Sequence, residues 1–127
     1  SDFVAWCQRR AGPYNPSTIV YGDLLYVLLD RGLVAAYEAG NGKLVFGPER
    51  LVDRGGAFTS SPWAYNGKIF FLDENGATYV LEAGRNYKLM RINRLRNGEG
   101  ICMATPAMAG GNLLIRTDTR LYCIGEK

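Results

Sequence analysis

The sequence predicts an all-β fold of about three four-stranded antiparallel blades, and three observations carry that expectation. A proline-led segment returns at Pro16, Pro62 and Pro106, 46 and 44 residues apart, and each proline is followed five or six positions later by Gly22, Gly67 or Gly111. A short apolar run, rich in β-branched and aromatic residues, follows each glycine. Glycine or proline interrupts most windows long enough for three helical turns, residues 85–97 and 112–124 being among the exceptions, which disfavours a helical reading. Self-similarity at this period marks a repeat architecture. Four antiparallel strands in about 45 residues make one blade of a β-propeller.

Each element has its own local reason. In the first copy, Tyr21-Gly22-Asp23 reads as a turn, Leu24–Leu29 as a buried strand and Asp30-Arg31-Gly32 as the next turn. Leu33–Tyr37 follows as a third strand, Asn41-Gly42 as another turn, and Lys43–Phe46 begins a fourth strand. In the second copy, Ser60–Tyr65 is a short run ending at Asn66-Gly67, a dipeptide that favours a two-residue hairpin because both residues tolerate positive φ. Lys68–Leu72 is too apolar to face water on either side and is expected to be an inner strand covered on both faces. Asp73-Glu74-Asn75-Gly76 turns the chain into Ala77–Glu82, and Tyr87–Leu95 is a fourth strand with a more polar face.

The third copy supplies Ala104–Ala109, a Gly110-Gly111-Asn112 turn, Leu113–Thr117 and Leu121–Ile124, and then lacks an outer strand. At the other end, Phe3-Val4-Ala5-Trp6 has the look of an outer strand without a blade of its own. The expected organisation is therefore 1–14 as the outer strand of a preceding blade, 15–57 and 58–102 as blades, and 103–127 as an incomplete final blade.

Composition narrows the function classes. The 127 residues carry a net charge of +3, a modest value beside the clustered basic stripe of a nucleic-acid footprint. The nearest cluster, Arg85, Lys88, Arg91, Arg94 and Arg96, is broken by apolar residues and reads as a solvated outer strand, with an anionic partner as the alternative. No run approaches the roughly 18 apolar residues of a membrane span. The opening Ser1-Asp2-Phe3, without an initiator methionine, suggests a processed or excised piece.

Histidine is absent, which removes the commonest general base and metal ligand. Cys7, Cys102 and Cys123 have no metal-like spacing. They are expected to be small thiols filling the core, with a Cys102–Cys123 bridge as the alternative. The only carboxylate pair, Asp73-Glu74, falls in a hairpin turn and is expected to be solvated. Gly40-Asn41-Gly42-Lys43 lacks the earlier glycine and the following Ser/Thr of a phosphate loop, so a plain turn explains it. No catalytic, cofactor-binding or metal-ligating residue is assigned.

The stretch Ala36-Tyr37-Glu38-Ala39-Gly40-Asn41-Gly42-Lys43-Leu44-Val45-Phe46 is similar to the blade-docking motif of quinoprotein-like (PQQ-like) β-propellers, A-x-D-x-x-T-G-K-x-x-W. Ala36, Gly42 and Lys43 match outright, while Glu38, Asn41 and Phe46 stand for the aspartate, threonine and tryptophan. The repeat openings at 59–62 and 104–107 and the closing 121–124 also resemble this family. The resemblance implies a dock in which an aromatic ring lies flat on a neighbouring blade near a glycine and an acidic side chain accepts turn amides. On that basis Phe46→Ala would cost roughly 3–5 kcal/mol if the ring is buried.

Propellers usually hold about four to eight blades, so this chain is expected to be the C-terminal segment of a longer propeller. Association of copies is the alternative, and either the remaining blades or a homo-oligomer would cover the end faces. Family members such as the outer-membrane assembly lipoprotein of the Bam complex imply a non-catalytic scaffold or protein-interaction platform in the periplasm, cell envelope or extracellular space. Candidate contacts to a protein partner are Tyr14, Trp63, Tyr65, Arg85 and Tyr87, with packing between blades as the competing role. A fragment of a PQQ-dependent dehydrogenase is the other implied function, although no two cysteines here are adjacent. A ligand in the central channel stays open.

Overall fold

The computed structural model describes residues 2–52, 56–95 and 100–126. Ser1, Lys127 and Arg96 of the basic cluster lie outside the described residues. Three antiparallel meanders follow one another along the chain. The first is β1 (Ile19–Tyr21), β2 (Leu24–Leu29), β3 (Leu33–Glu38) and β4 (Leu44–Arg50). The second is β5 (Trp63–Tyr65), β6 (Lys68–Leu72), β7 (Ala77–Glu82) and β8 (Leu89–Arg94). The third holds only β9 (Ala107–Ala109), β10 (Asn112–Arg116) and β11 (Leu121–Ile124).

Tight turns set the register. Asn66 and Gly67, with φ of 49° and 73°, close β5 onto β6 so that Tyr65 faces Lys68. Tyr21 faces Leu24 and Ala109 faces Asn112 in the same way. Equivalent hydroxyl residues tie the sheets together near β1, β5 and β9. The Ser17 amide donates to Ser61 Oγ (2.8 Å) and the Ser61 amide to Thr105 Oγ1 (2.9 Å), 44 residues apart in both cases.

This register corrects the sequence alignment at one place. Pro62 and Pro106 each directly precede the first strand of their sheet, whereas Pro16 lies two residues earlier in the register, where Thr18 takes the proline position. The repeat is carried by hairpin turns and hydroxyls; the proline is free to shift because it stands before the strand, outside the ladder.

Alternation decides what each sheet buries. Leu24, Tyr26 and Leu28 of the first sheet meet Ile69, Phe71, Tyr79 and Leu81 of the second in one cluster closed by Phe58. The opposite face of the second sheet joins Leu72 to Cys102 and Ile115. Strands β6 and β7 are thus covered on both faces, as their apolar composition requires. Among the described residues no further sheet packs on the third, and Leu121 is 71% exposed on it.

Two further expectations are corrected. Residues 2–6 form no strand; Trp6, Gln8 and Ala11 instead cross the outer face of the first sheet beside Leu25, Val27 and Tyr37. A strand needs a ladder partner, and no described strand runs beside them. The cysteines are free: Cys102 is buried, but Cys7 and Cys123 are exposed, so only one fills a core and the Cys102–Cys123 bridge is not formed.

Candidate functional site

The docking motif occupies the seam between the first and second sheets. Ala36 is fully buried opposite Phe46 in the β3–β4 ladder. The turn closes through its own backbone: the Glu38 amide donates to Lys43 O and the Gly42 amide to Glu38 O, both at 2.8 Å. Asn41 Oδ1 accepts the Lys43 amide at 2.9 Å and so closes the turn locally.

Glu38 departs from the expected role. Its carboxylate binds the Arg85 guanidinium of the second sheet instead of turn amides, because the added methylene carries it beyond the turn. Each partner stabilises the other's charge, lowering the Glu38 pKa and raising that of Arg85 through their shared hydrogen bond. Water screens this exposed pair, so it orients the seam more than it stabilises the fold.

Phe46 departs as well. Its ring contacts Tyr26 at 6.3 Å and, across the seam, Tyr87 at 6.1 Å. Being half-buried, it falls short of the cost of a buried aromatic. The ring that lies on the motif's Gly42 is Trp6: a Cβ there would stand 2.5 Å from Trp6 Cε3. Trp6 Nε1 donates to Ala39 O at 3.0 Å, and Gln8 Nε2 to Gly42 O at 2.7 Å. The sequence signal for it was a tryptophan ending an apolar run, Phe3-Val4-Ala5-Trp6.

The five candidate contacts do not form one surface. Trp63 stacks on Phe70 at 5.3 Å, Arg85 is taken by Glu38, and Tyr87 packs on Phe46 while its hydroxyl reaches Arg50 O at 3.3 Å. Tyr14 and Tyr65 are 90% and 59% exposed. They sit at opposite ends of the strands, Tyr14 beside Asp30 and Tyr65 at the β5–β6 hairpin, where it borders a recess with Met108.

Asp73 is the clearest electrostatic correction. It is buried, only 4% exposed, and not solvated. Its Oδ1 accepts the Asn75 and Ala77 amides at 3.0 and 2.8 Å, and its Oδ2 accepts the Tyr79 hydroxyl at 3.2 Å. Glu74 accepts the Thr59 hydroxyl at 2.6 Å, and Asp30 and Asp118 bind backbone amides of neighbouring loops. These carboxylates hold loops in shape. Burial raises the pKa values of Tyr79, Tyr26, Tyr87 and Cys102, with charges adding to the effect at Asp73's neighbours Tyr79 and Cys102. Among the described residues, no helix is long and apolar enough to cross a membrane, and no group of three or more Cys, Asp or Glu converges as a metal site.

Comparison with solved structures agrees with this architecture. The chain is similar to BamB from Moraxella catarrhalis, with a TM-score of 0.65 and 15% identity over 84% of this chain and 32% of that one. It is also similar to the quinohemoprotein alcohol dehydrogenase ADHIIG from Pseudomonas putida HK5, with a TM-score of 0.55 and 17% identity over 80% of this chain and 16% of that one. Neither a protein-family model nor a curated protein sequence matches the chain. The chain thus spans about a third of one relative and a sixth of the other. Its fold is that of an all-β segment of a β-propeller.

Proposed function

We propose that this propeller segment is a non-catalytic repeat module that serves as a structural scaffold and protein-interaction platform. The observation that carries the proposal is where its reactive side chains go. Asp30, Asp73, Glu74 and Asp118 bind loop amides or hydroxyls, and Glu38 and Arg85 join the first two sheets. The exposed side chains include aromatic and apolar ones: Tyr65 at one hairpin, and Met108 and Leu121 on the third sheet. Such residues suit contact with a partner protein. The remaining blades of a longer propeller would cover the end faces, with this chain as its C-terminal part, in a periplasmic, envelope or extracellular setting.

The test uses Tyr65→Ala and Met108→Ser, which sit at the surface and leave the core intact. Expressed in the longer chain, each should reduce capture of the partner while leaving the thermal midpoint unchanged. Retained capture in both variants would count against the platform. A calcium-dependent absorbance change on adding pyrroloquinoline quinone would instead favour the dehydrogenase reading.

A further inference from the structure

Arg50 and Arg94 end β4 and β8, the outer strands of two successive sheets, and so hold the same place one repeat apart. Both line a single cleft of about 550 Å³ between those sheets. This volume lies within the range of roughly 300–1,000 Å³ typical of ligand pockets. Leu51, Leu89 and Ile92 contribute apolar wall, and Asn75 adds a polar side chain. Neither arginine forms an ion pair with a described carboxylate; the Arg94 guanidinium faces the Tyr79 hydroxyl.

Asp73 also borders the cleft, and an unsatisfied carboxylate there would repel an anion. Its oxygens are already committed to two amides and the Tyr79 hydroxyl, and it is buried. Among the described residues that line the cleft, two guanidinium groups therefore outweigh one internally satisfied negative charge. The corresponding recess between the second and third sheets shares Arg94, but it has no second arginine and is otherwise lined largely by apolar residues such as Phe70, Leu113 and Ile115. Among the described residues, the pairing of two arginines is thus found in the first of these two recesses.

We propose that this cleft binds a carboxylate carried on an apolar body, the chemistry of an acidic side chain flanked by leucine-like residues in a peptide. The guanidinium pair takes the carboxylate through charge-assisted, planar hydrogen bonds, and the apolar wall takes the flanking groups. The proposal deepens the partner-binding function and rests on it for the peptide nature of the ligand.

The experiment titrates the folded chain with the blocked tripeptide Ac-Leu-Asp-Leu-NH2, followed by amide chemical shifts in two-dimensional NMR. Ac-Leu-Asn-Leu-NH2 and inorganic phosphate are run in parallel. The aspartyl peptide should give saturable shifts at Leu51, Asn75 and Leu89, and rising salt should weaken them. Arg50→Gln and Arg94→Gln should each reduce affinity at least about fivefold, a loss of roughly 1 kcal/mol. Arg91→Gln, on β8 but outside this cleft, should change nothing. Equal binding of the asparaginyl peptide, no saturable shift in the wild type, or phosphate binding as tightly as the aspartyl peptide would each overturn the proposal. Loss of the Tyr65 and Met108 effect would refute the platform while leaving these shifts in place, so the two failures are distinguishable.

Discussion

Gly42→Ala isolates the contact that joins residues 2–8 to the first sheet. Gly42 has φ +73°, and a Cβ there would stand 2.5 and 2.6 Å from Trp6 Cε3 and Cδ2. An alanine forced into left-handed backbone costs about 1–2 kcal/mol. It also drives the indole away, losing about 1 kcal/mol of half-burial and about 1 kcal/mol from the Nε1 hydrogen bond to Ala39 O. The total is about 3–4 kcal/mol, against about 2 kcal/mol for Trp6→Ala alone.

Once Trp6 is gone, Gly42→Ala retains only its backbone strain, so the double variant should be less destabilised than the sum of the singles by about 2 kcal/mol. Gly67 provides the control: it has the same φ of +73° with nothing within 4 Å of the added Cβ, so Gly67→Ala should cost strain alone. Urea unfolding followed by far-ultraviolet circular dichroism measures all four variants without relying on tryptophan. If Gly42→Ala and Trp6→Ala are additive and Gly42→Ala matches Gly67→Ala, the indole is not seated on the glycine.

Three other outcomes follow from the same geometry. Asp73→Ala leaves two amides and the Tyr79 hydroxyl without their acceptor and should cost about 3 kcal/mol or more, with Asp73→Asn milder, as measured by urea midpoints. Ellman's reagent should titrate Cys7 and Cys123 rapidly and Cys102 only after unfolding, since Cys102 is buried and burial disfavours its thiolate; three fast thiols would contradict this. Stability should fall as pH rises above 10.0, the ordinary tyrosine value, because Tyr26, Tyr79 and Tyr87 hold their protons to higher pH when folded than when unfolded. The unfolded chain then releases protons first, so the stabilisation is complete below that value and lost through the raised folded values. Denaturation midpoints between about pH 8 and 11 would show the decline, and a flat profile would refute it.

Much of the fold was legible because strand signals are local. Leu24–Leu29, Lys68–Leu72, Ala77–Glu82 and Leu121–Ile124 coincide with observed strands, each bounded by turn residues that admit few alternatives. The site was less legible. Glu38 and Phe46 were expected to meet turn amides and a glycine, whereas their partners Arg85 and Tyr87 belong to the next sheet. Asp73 was expected in water, yet a turn carboxylate is buried when the following sheet and the Tyr79 hydroxyl close over it.

Alternation, turn chemistry and the repeat period were enough by themselves to determine an all-β chain of successive antiparallel meanders, since each depends on neighbours a few residues away. Only the tertiary structure decided that Trp6 sits on Gly42, that Pro16 stands outside the repeat register, and that Arg50 and Arg94 share one cleft. These depend on how whole sheets stack, and stacking is set by the summed burial of two faces, which no local spacing encodes.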